Sequence, residues 1–169
     1  MKTCFLDTET TGLAGTDEIV EIAICDENGE EILNSLVKPK NTLVWPWAQK
    51  VHGISPKDVD SAPSLIELLP SIRAAFSGRK VIIYNASFDV RFFPRDTFDN
   101  CEIECCMLAY SRQIKTGSRK LTSAAEHVGH IWSGSAHRAM SDARATASVW
   151  KWLVHCQKAN FYTQTAQLG

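Results

Sequence analysis

The spacing of apolar and polar positions predicts strands in the first part of the chain and helices in the last. Thr3–Asp7 is a short apolar run that reads as a buried strand, ending in the polar, Gly-containing segment Thr8–Gly12. Glu18–Cys25 is nearly continuous Ile, Val and Ala, broken by Glu21, and predicts a second strand. Asp26-Glu27-Asn28-Gly29 follows, and Asn-Gly between two apolar runs is a strong hairpin signal. Glu31–Val37 is then a third strand, antiparallel to the second and stopped by Pro39. Pro46–Val51 predicts a short helix, and Ser64–Phe76 a longer one with Leu65, Leu68, Leu69 and Ile72 at helical spacing. Lys80–Tyr84 is wholly apolar after its lysine, as a central parallel strand covered on both faces would be. Asn85 stands at the N-cap of a helix running towards Pro94. A further strand falls at Glu102–Cys105, and helices at Met107–Gln113, Leu121–Val128 and Arg138–Cys156. Three strands first, then alternating strand and helix, give an α/β fold with a mixed sheet between helices.

Length and composition narrow the class without naming a function. At 169 residues with 44% hydrophobic content, the chain fits one domain with a proper core. Residues 1–156 hold all the patterned segments, and 157–169 read as a short, polar, peripheral tail. No apolar run approaches the roughly 20 residues needed to span a bilayer, and no signal peptide precedes Asp7. A cytoplasmic protein without membrane contact is the expectation. The six cysteines lack metal-ligand spacing, and Cys4 and Cys25 lie in strand-like runs; reduced buried thiols fit a reducing compartment.

Net charge is −1, yet its distribution is uneven. Residues 1–104 carry 10 Lys/Arg against 17 Asp/Glu, a balance of −7, while residues 105–169 carry 8 against 2, a balance of +6. Such asymmetry is a hint of nucleic-acid contact.

Three short strings carry candidate chemistry. In Asp7-Thr8-Glu9 the two acids are two residues apart in an extended chain, so both point to one side of the strand end. Asn85-Ala86-Ser87-Phe88-Asp89 puts an acid in the first turn of a helix leaving a central strand. The helix dipole accounts for that acid alone, but not for its occurrence with the other two strings. In His137-Arg138-Ala139-Met140-Ser141-Asp142, a wholly helical reading separates His137 and Asp142 by roughly 140° around the axis. They can aim at one point only if His137 lies in the loop before the helix, and Ser133-Gly134-Ser135 suits such a loop.

Phe5-Leu6-Asp7-Thr8-Glu9-Thr10-Thr11-Gly12-Leu13, the Asn85–Asp89 string and His137-x4-Asp142 resemble, in order and separation, the three motifs of the DEDDh exonuclease family. The resemblance covers about residues 3–155, includes Val51-His52-Gly53-Ile54, and is most similar to exonuclease X where Arg91 and Pro94 follow Asp89. It implies a ribonuclease H-like fold: a mixed five-stranded sheet, its first three strands antiparallel and the rest parallel, flanked by helices. It also implies 3′→5′ hydrolysis of phosphodiester bonds, with Asp7, Glu9, Asp89 and Asp142 as ligands of two Mg²⁺ or Mn²⁺ ions and His137 as general base. Hard divalent ions prefer oxygen donors, in keeping with four carboxylates and no cysteine. Two such ions move the formal charge from −1 to +3 and make phosphate binding compatible with the composition. The backbone of Thr10, Thr11 and Gly12, with Leu13, His52, Ile54, Asn85 and Phe88, is implied to hold the terminal nucleotide.

The implied partners are DNA or RNA 3′ ends, with single-stranded or frayed DNA favoured through the likeness to exonuclease X. An exoribonuclease and a non-catalytic end-binding or polymerase-docking module are the competing readings; all five filled positions speak against the last. A homodimer and a polymerase association stay open. Ser111–Lys120 holds Arg112, Lys115, Arg119 and Lys120 without an acid, as a solvated loop or a phosphate track. Trp45 and Trp47 flank Pro46, for a role in core or dimer packing or in stacking a base.

Overall fold

The computed structural model describes residues 1–114, 117–132 and 134–166, with side chains placed as far as Gln157. Five strands form one sheet in the order β3-β2-β1-β4-β5. They are β1 (Lys2–Thr10), β2 (Ile19–Asp26), β3 (Glu31–Leu36), β4 (Arg79–Ile83) and β5 (Glu102–Cys105). β1 pairs antiparallel with β2 and β2 antiparallel with β3. β4 joins the other side of β1 in parallel, and β5 continues in parallel from β4. This is the ribonuclease H-like sheet that the motifs imply.

The period-two alternation of the central strands sorts their side chains between two cores. Cys4 and Leu6 of β1, Ile22 and Ile24 of β2, and Val81 and Ile83 of β4 face α2 (Leu65–Phe76), packing on Ile72, Ala75 and Phe76. Phe5, Ala23, Cys25 and Ile82 face the other way, onto α4 (Cys106–Gln113), α5 (Leu121–His127) and α6 (Ala139–Ala166). Small residues let α6 lie close: Ala139, Ala143 and Ala147 are all buried there. A third small cluster of Val20, Trp45, Ile54 and Val59 seats α1 (Pro46–His52) beside the sheet.

Unequal strand lengths open the sheet at the end of β1. β1 stays paired with β2 as far as Thr10↔Ile19, but its pairing with β4 stops at Leu6↔Ile83. The last residues of β1 therefore run past the end of β4. The strand reaches Thr10 rather than ending near Asp7, because β2 satisfies its backbone on one side.

Two helices differ from the sequence pattern. Asn85 holds the N-cap position without a side-chain capping bond, its amide oxygen taking the Ser87 hydroxyl at 3.1 Å instead. The helix that follows is only α3 (Ala86–Asp89), with a 3₁₀ turn at Val90–Phe92. Pro94 disfavours a helical residue before it, and Phe93 is extended at φ −98°, ψ 153°. α6 begins one residue later than expected and continues to Ala166, ten residues past Cys156. Among the described residues no helix is long and apolar enough to cross a membrane.

Candidate active site

Asp7 and Glu9 share the face of β1 that carries Phe5, and so point towards the start of α6. There Asp142, in the first turn of α6, meets them: one carboxylate oxygen from each of the three lies within 4.8 Å of the others. It is the group of metal-capable side chains found among the described residues, and no cysteine belongs to it. Asp89 approaches from the end of α3. It is buried and accepts a hydrogen bond from the Thr8 hydroxyl at 2.8 Å.

Carboxylates brought together without a counter-ion resist ionisation. Burial, then the Asp89, Asp142, Glu9 and Glu21 charges, pushes the Asp7 carboxyl well above the usual carboxylate range. Glu9 is pushed up to about 8 by burial and by the Asp142, Glu21 and Asp89 charges. Burial raises Asp89 to about 7 against the Thr8 hydrogen bond, and raises Asp142 to about 6 against the His137 backbone N–H. A divalent cation would relieve all four, and the donors are the hard oxygens that Mg²⁺ and Mn²⁺ prefer. The residues present fit such ions.

Glu21 fixes the start of α6. It is buried in β2 directly opposite Glu9. Its carboxylate accepts the Ala139 backbone N–H at 2.8 Å and is bridged by Arg138 at 2.6 Å. An anion at a helix N-terminus satisfies an orphan N–H and the helix dipole together. His137 lies outside the helix with φ 62°, a left-handed conformation, and its backbone N–H donates to Asp142 Oδ1 at 3.3 Å. The separation of His137 from the helical Asp142 is therefore built by the backbone. Of the loop string Ser133-Gly134-Ser135, Ser133 lies outside the described residues.

A cleft of about 500 Å³ opens beside the cluster. The end of β1 and the following turn supply Glu9, Thr10, Thr11, Gly12 and Leu13; His52, Phe88 and His137 close it from three other elements. The turn is tightly built. Thr11 donates to Asp17 at 2.8 Å, Asp17 accepts the Ala14 N–H at 2.7 Å, and a Cβ on Gly12 would come within 2.6 Å of Asp17 Oδ2. His52 Nε2 meets the Thr10 carbonyl at 3.2 Å, and burial lowers its imidazole from the ordinary value. Arg91, stacked on Phe88 and Phe92 with centroid distances of 4.5 and 4.7 Å, donates to the Leu13 carbonyl at 2.6 Å.

Residues 4–150 match the sequence model of the RNase T family, described as exonuclease. The chain belongs to this exonuclease family. Its motifs place it in the DEDDh group, whose activity is exonucleolytic and whose substrates are nucleic acids. Exonuclease CP81 of Escherichia phage 186 is 34% identical over 164 residues, covering 86% of this chain and 84% of that protein. The PolC-type DNA polymerase III of Thermotoga maritima is 29% identical over 174 residues, 96% of this chain but 12% of the polymerase. Exonuclease X in complex with 5′ overhanging duplex DNA superposes with a TM-score of 0.78 at 25% identity, covering 91% of this chain and 92% of that one.

In this exonuclease, two residues implied for the nucleotide do not line the cleft. Ile54 is buried with Trp45 and Val59, its N–H donating to His52 Nδ1 at 3.0 Å, so it supports His52 from behind. Asn85 is half-buried beside Ser87. Conversely, the sequence assigned no role to Thr8, Glu21, Asp17 or Arg91, and favoured core or dimer packing over base stacking for Trp47. For Glu21 a signal existed: a lone acid in an otherwise apolar strand. Thr8 and Arg91 act through contacts about 80 residues along the chain, with Asp89 and Leu13, which no local pattern announces, while Asp17 closes its own turn through Thr11 and Ala14.

Proposed function

We infer that the chain is a 3′→5′ exonuclease that hydrolyses the terminal phosphodiester of DNA, single-stranded or frayed, with a two-metal site and a histidine base. The observation that carries this is the convergence of Asp7, Glu9 and Asp142 within 4.8 Å, with Asp89 held beside them through Thr8, at the head of an open cleft. When bound, two divalent ions would stabilise charge on the attacking and leaving oxygens. Asp7, Glu9, Asp89 and Asp142 would hold them. The Thr10–Leu13 turn, fixed by Asp17 and Arg91, positions the terminal nucleotide. His137 takes the proton from the attacking water, acting as the general base. Its exposed position before α6 leaves the ring accessible to that water. DNA is preferred over RNA in this reading on the strength of the match to a DNA-bound exonuclease X.

The test compares wild type, Asp142→Ala and His137→Ala on DNA and RNA oligonucleotides of equal sequence, alongside Mn²⁺ binding. Asp142→Ala is expected to lose both cleavage and binding. His137→Ala is expected to bind Mn²⁺ while losing about 10²- to 10⁴-fold in turnover. Loss of Mn²⁺ binding in His137→Ala would contradict its role as base, and faster cleavage of RNA would overturn the DNA preference.

A further inference from the structure

Arg119 and Lys120 end the basic segment Ser111–Lys120, and both are exposed. Their backbone is held from the sheet: the buried Tyr84 donates its hydroxyl to the Arg119 carbonyl at 2.9 Å. Tyr84 follows Ile83, the partner of Leu6, and so stands level with Asp7 on the neighbouring strand. Its ring packs with Phe5 and Ile82, on the face of the sheet that also carries Asp7 and Glu9. One tyrosine side chain therefore ties this turn to the strand position beside the carboxylate cluster. The turn is held from its other end too, since Lys120 is the N-cap of α5 and its carbonyl accepts the Ala124 N–H at 3.0 Å. Among the described residues the ion pairs engage Lys38, Arg73, Lys80 and Arg138, and neither Arg119 nor Lys120 has a carboxylate partner. Neither belongs to the lining of the cleft built on the Thr10–Leu13 turn. Two unpaired cations on a fixed mount, beside the acids and outside the cleft, suit an anion that runs past the cluster rather than one that ends in it.

We propose that Arg119 and Lys120 form a track for backbone phosphates upstream of the 3′-terminal nucleotide, and that this track makes the enzyme favour DNA strands several nucleotides long over dinucleotides. The proposal rests on the exonuclease reading above and deepens it by naming the length class of the substrate. The terminal nucleotide at the Thr10–Leu13 turn and the bond at the carboxylates are the same in a dinucleotide and in a long strand. Only the longer strand carries further phosphates out of the cleft, where the two cations can meet them. A phosphate contact reads no sequence and adds affinity by releasing counter-ions, so its mark is the dependence of binding on salt. A merely solvated loop leaves no such mark.

The experiment measures the dissociation constant of a fluorescein-labelled twelve-nucleotide DNA in EDTA over a range of KCl concentrations, and KM in Mg²⁺ for the same DNA and for a dinucleotide. Wild type is compared with Arg119→Ala/Lys120→Ala and with the swap Arg119→Lys/Lys120→Arg. A third variant, Lys2→Ala/Lys151→Ala, removes two exposed cations at the far end of β1 and further along α6. The alanine pair at 119 and 120 is expected to lower the salt slope by about 1.4, two single-strand phosphate contacts at about 0.7 each, and so to weaken binding about 25-fold at about 0.1 M salt. KM for the twelve-nucleotide DNA is expected to rise by the same order, and several-fold less for the dinucleotide. The swap and the Lys2→Ala/Lys151→Ala variant are expected to keep the wild-type slope. An unchanged slope in the alanine pair, an equal rise in KM for the dinucleotide, or an equal loss in Lys2→Ala/Lys151→Ala would overturn the proposal. So would a swap variant that binds as weakly as the alanine pair, since the shape of the turn and not its charge would then matter. A wild type that shortens neither DNA from its 3′ end defeats the exonuclease reading instead, and the salt slopes still decide on the track.

Discussion

At the scale of single residues, the site depends on a few side chains whose partners are distant in sequence. Glu21 is the clearest. It touches none of the implied substrate positions, yet it holds the Ala139 N–H and Arg138 at the head of the helix that carries Asp142. Glu21→Gln keeps the size and loses the charge. It is expected to weaken metal binding and turnover about 10- to 100-fold, as loss of an outer partner does, and to cost about 1–3 kcal/mol of stability. Unchanged turnover in a correctly folded Glu21→Gln would show that α6 is seated without it. The cysteines give a second check. Burial pushes the Cys4 and Cys25 thiols up to about 12, so neither should react with a thiol reagent at pH 8 in the folded protein. Stoichiometric labelling of all six before unfolding would contradict their placement. Among the described residues none of the six cysteines forms a disulfide.

At the scale of elements, β1 and the turn after it decide where the chemistry happens. The strand carries two acids out beyond β4, and the turn is closed by Asp17 from one side and Arg91 from the other. Gly12 leaves room there for the Asp17 carboxylate, which a Cβ would push aside. Gly12→Ala is expected to displace Asp17, costing about 1–3 kcal/mol and raising KM more than it lowers kcat. A variant with wild-type melting and KM would mean that the turn absorbs the methyl. The sequence made the two acids and their strand legible, because alternation puts positions 7 and 9 on one face whatever the fold. It placed His137 off the helix for an equally local reason, the rotation between positions 137 and 142. It overextended the helix after Asn85, where Ser87 competes for the amide oxygen and Pro94 forces Phe93 out of the helical region. The tail's last residues, 167–169, and Lys115 of the basic segment lie outside the described residues. Arg119 is anchored by its carbonyl, which accepts the Tyr84 hydroxyl at 2.9 Å at the end of β4.

At the scale of the whole molecule, the acidic cluster links stability to pH and to metal. Glu9 rises from an ordinary 4.5 to about 8, and Asp89 and Asp142 rise in the same direction to about 7 and about 6. In each case the fold favours the protonated form. The stabilisation is full below the unfolded values and is lost as pH rises through the folded ones. In EDTA, melting temperature is therefore expected to fall between pH 5 and pH 8. Added Mg²⁺ is expected to raise it more at pH 8, where the carboxylates are deprotonated and free to bind. Equal shifts at the two pH values would mean that the ion binds elsewhere. The mixed sheet between helices, antiparallel first and then parallel, followed from the order of strands and helices and from the family likeness. The cleft did not, because it arises where strands of unequal length meet a turn, a helix and a loop that are far apart in sequence.

The measurement that bears most directly on the central claim follows a DNA oligonucleotide labelled at its 5′ end, digested with Mg²⁺, with EDTA, and with Mg²⁺ restored in excess. A ladder of labelled fragments shortening one nucleotide at a time from the 3′ end is expected, absent in EDTA and recovered when the ion returns. A ladder that persists in EDTA, or release of the label as a mononucleotide at the outset, would contradict it.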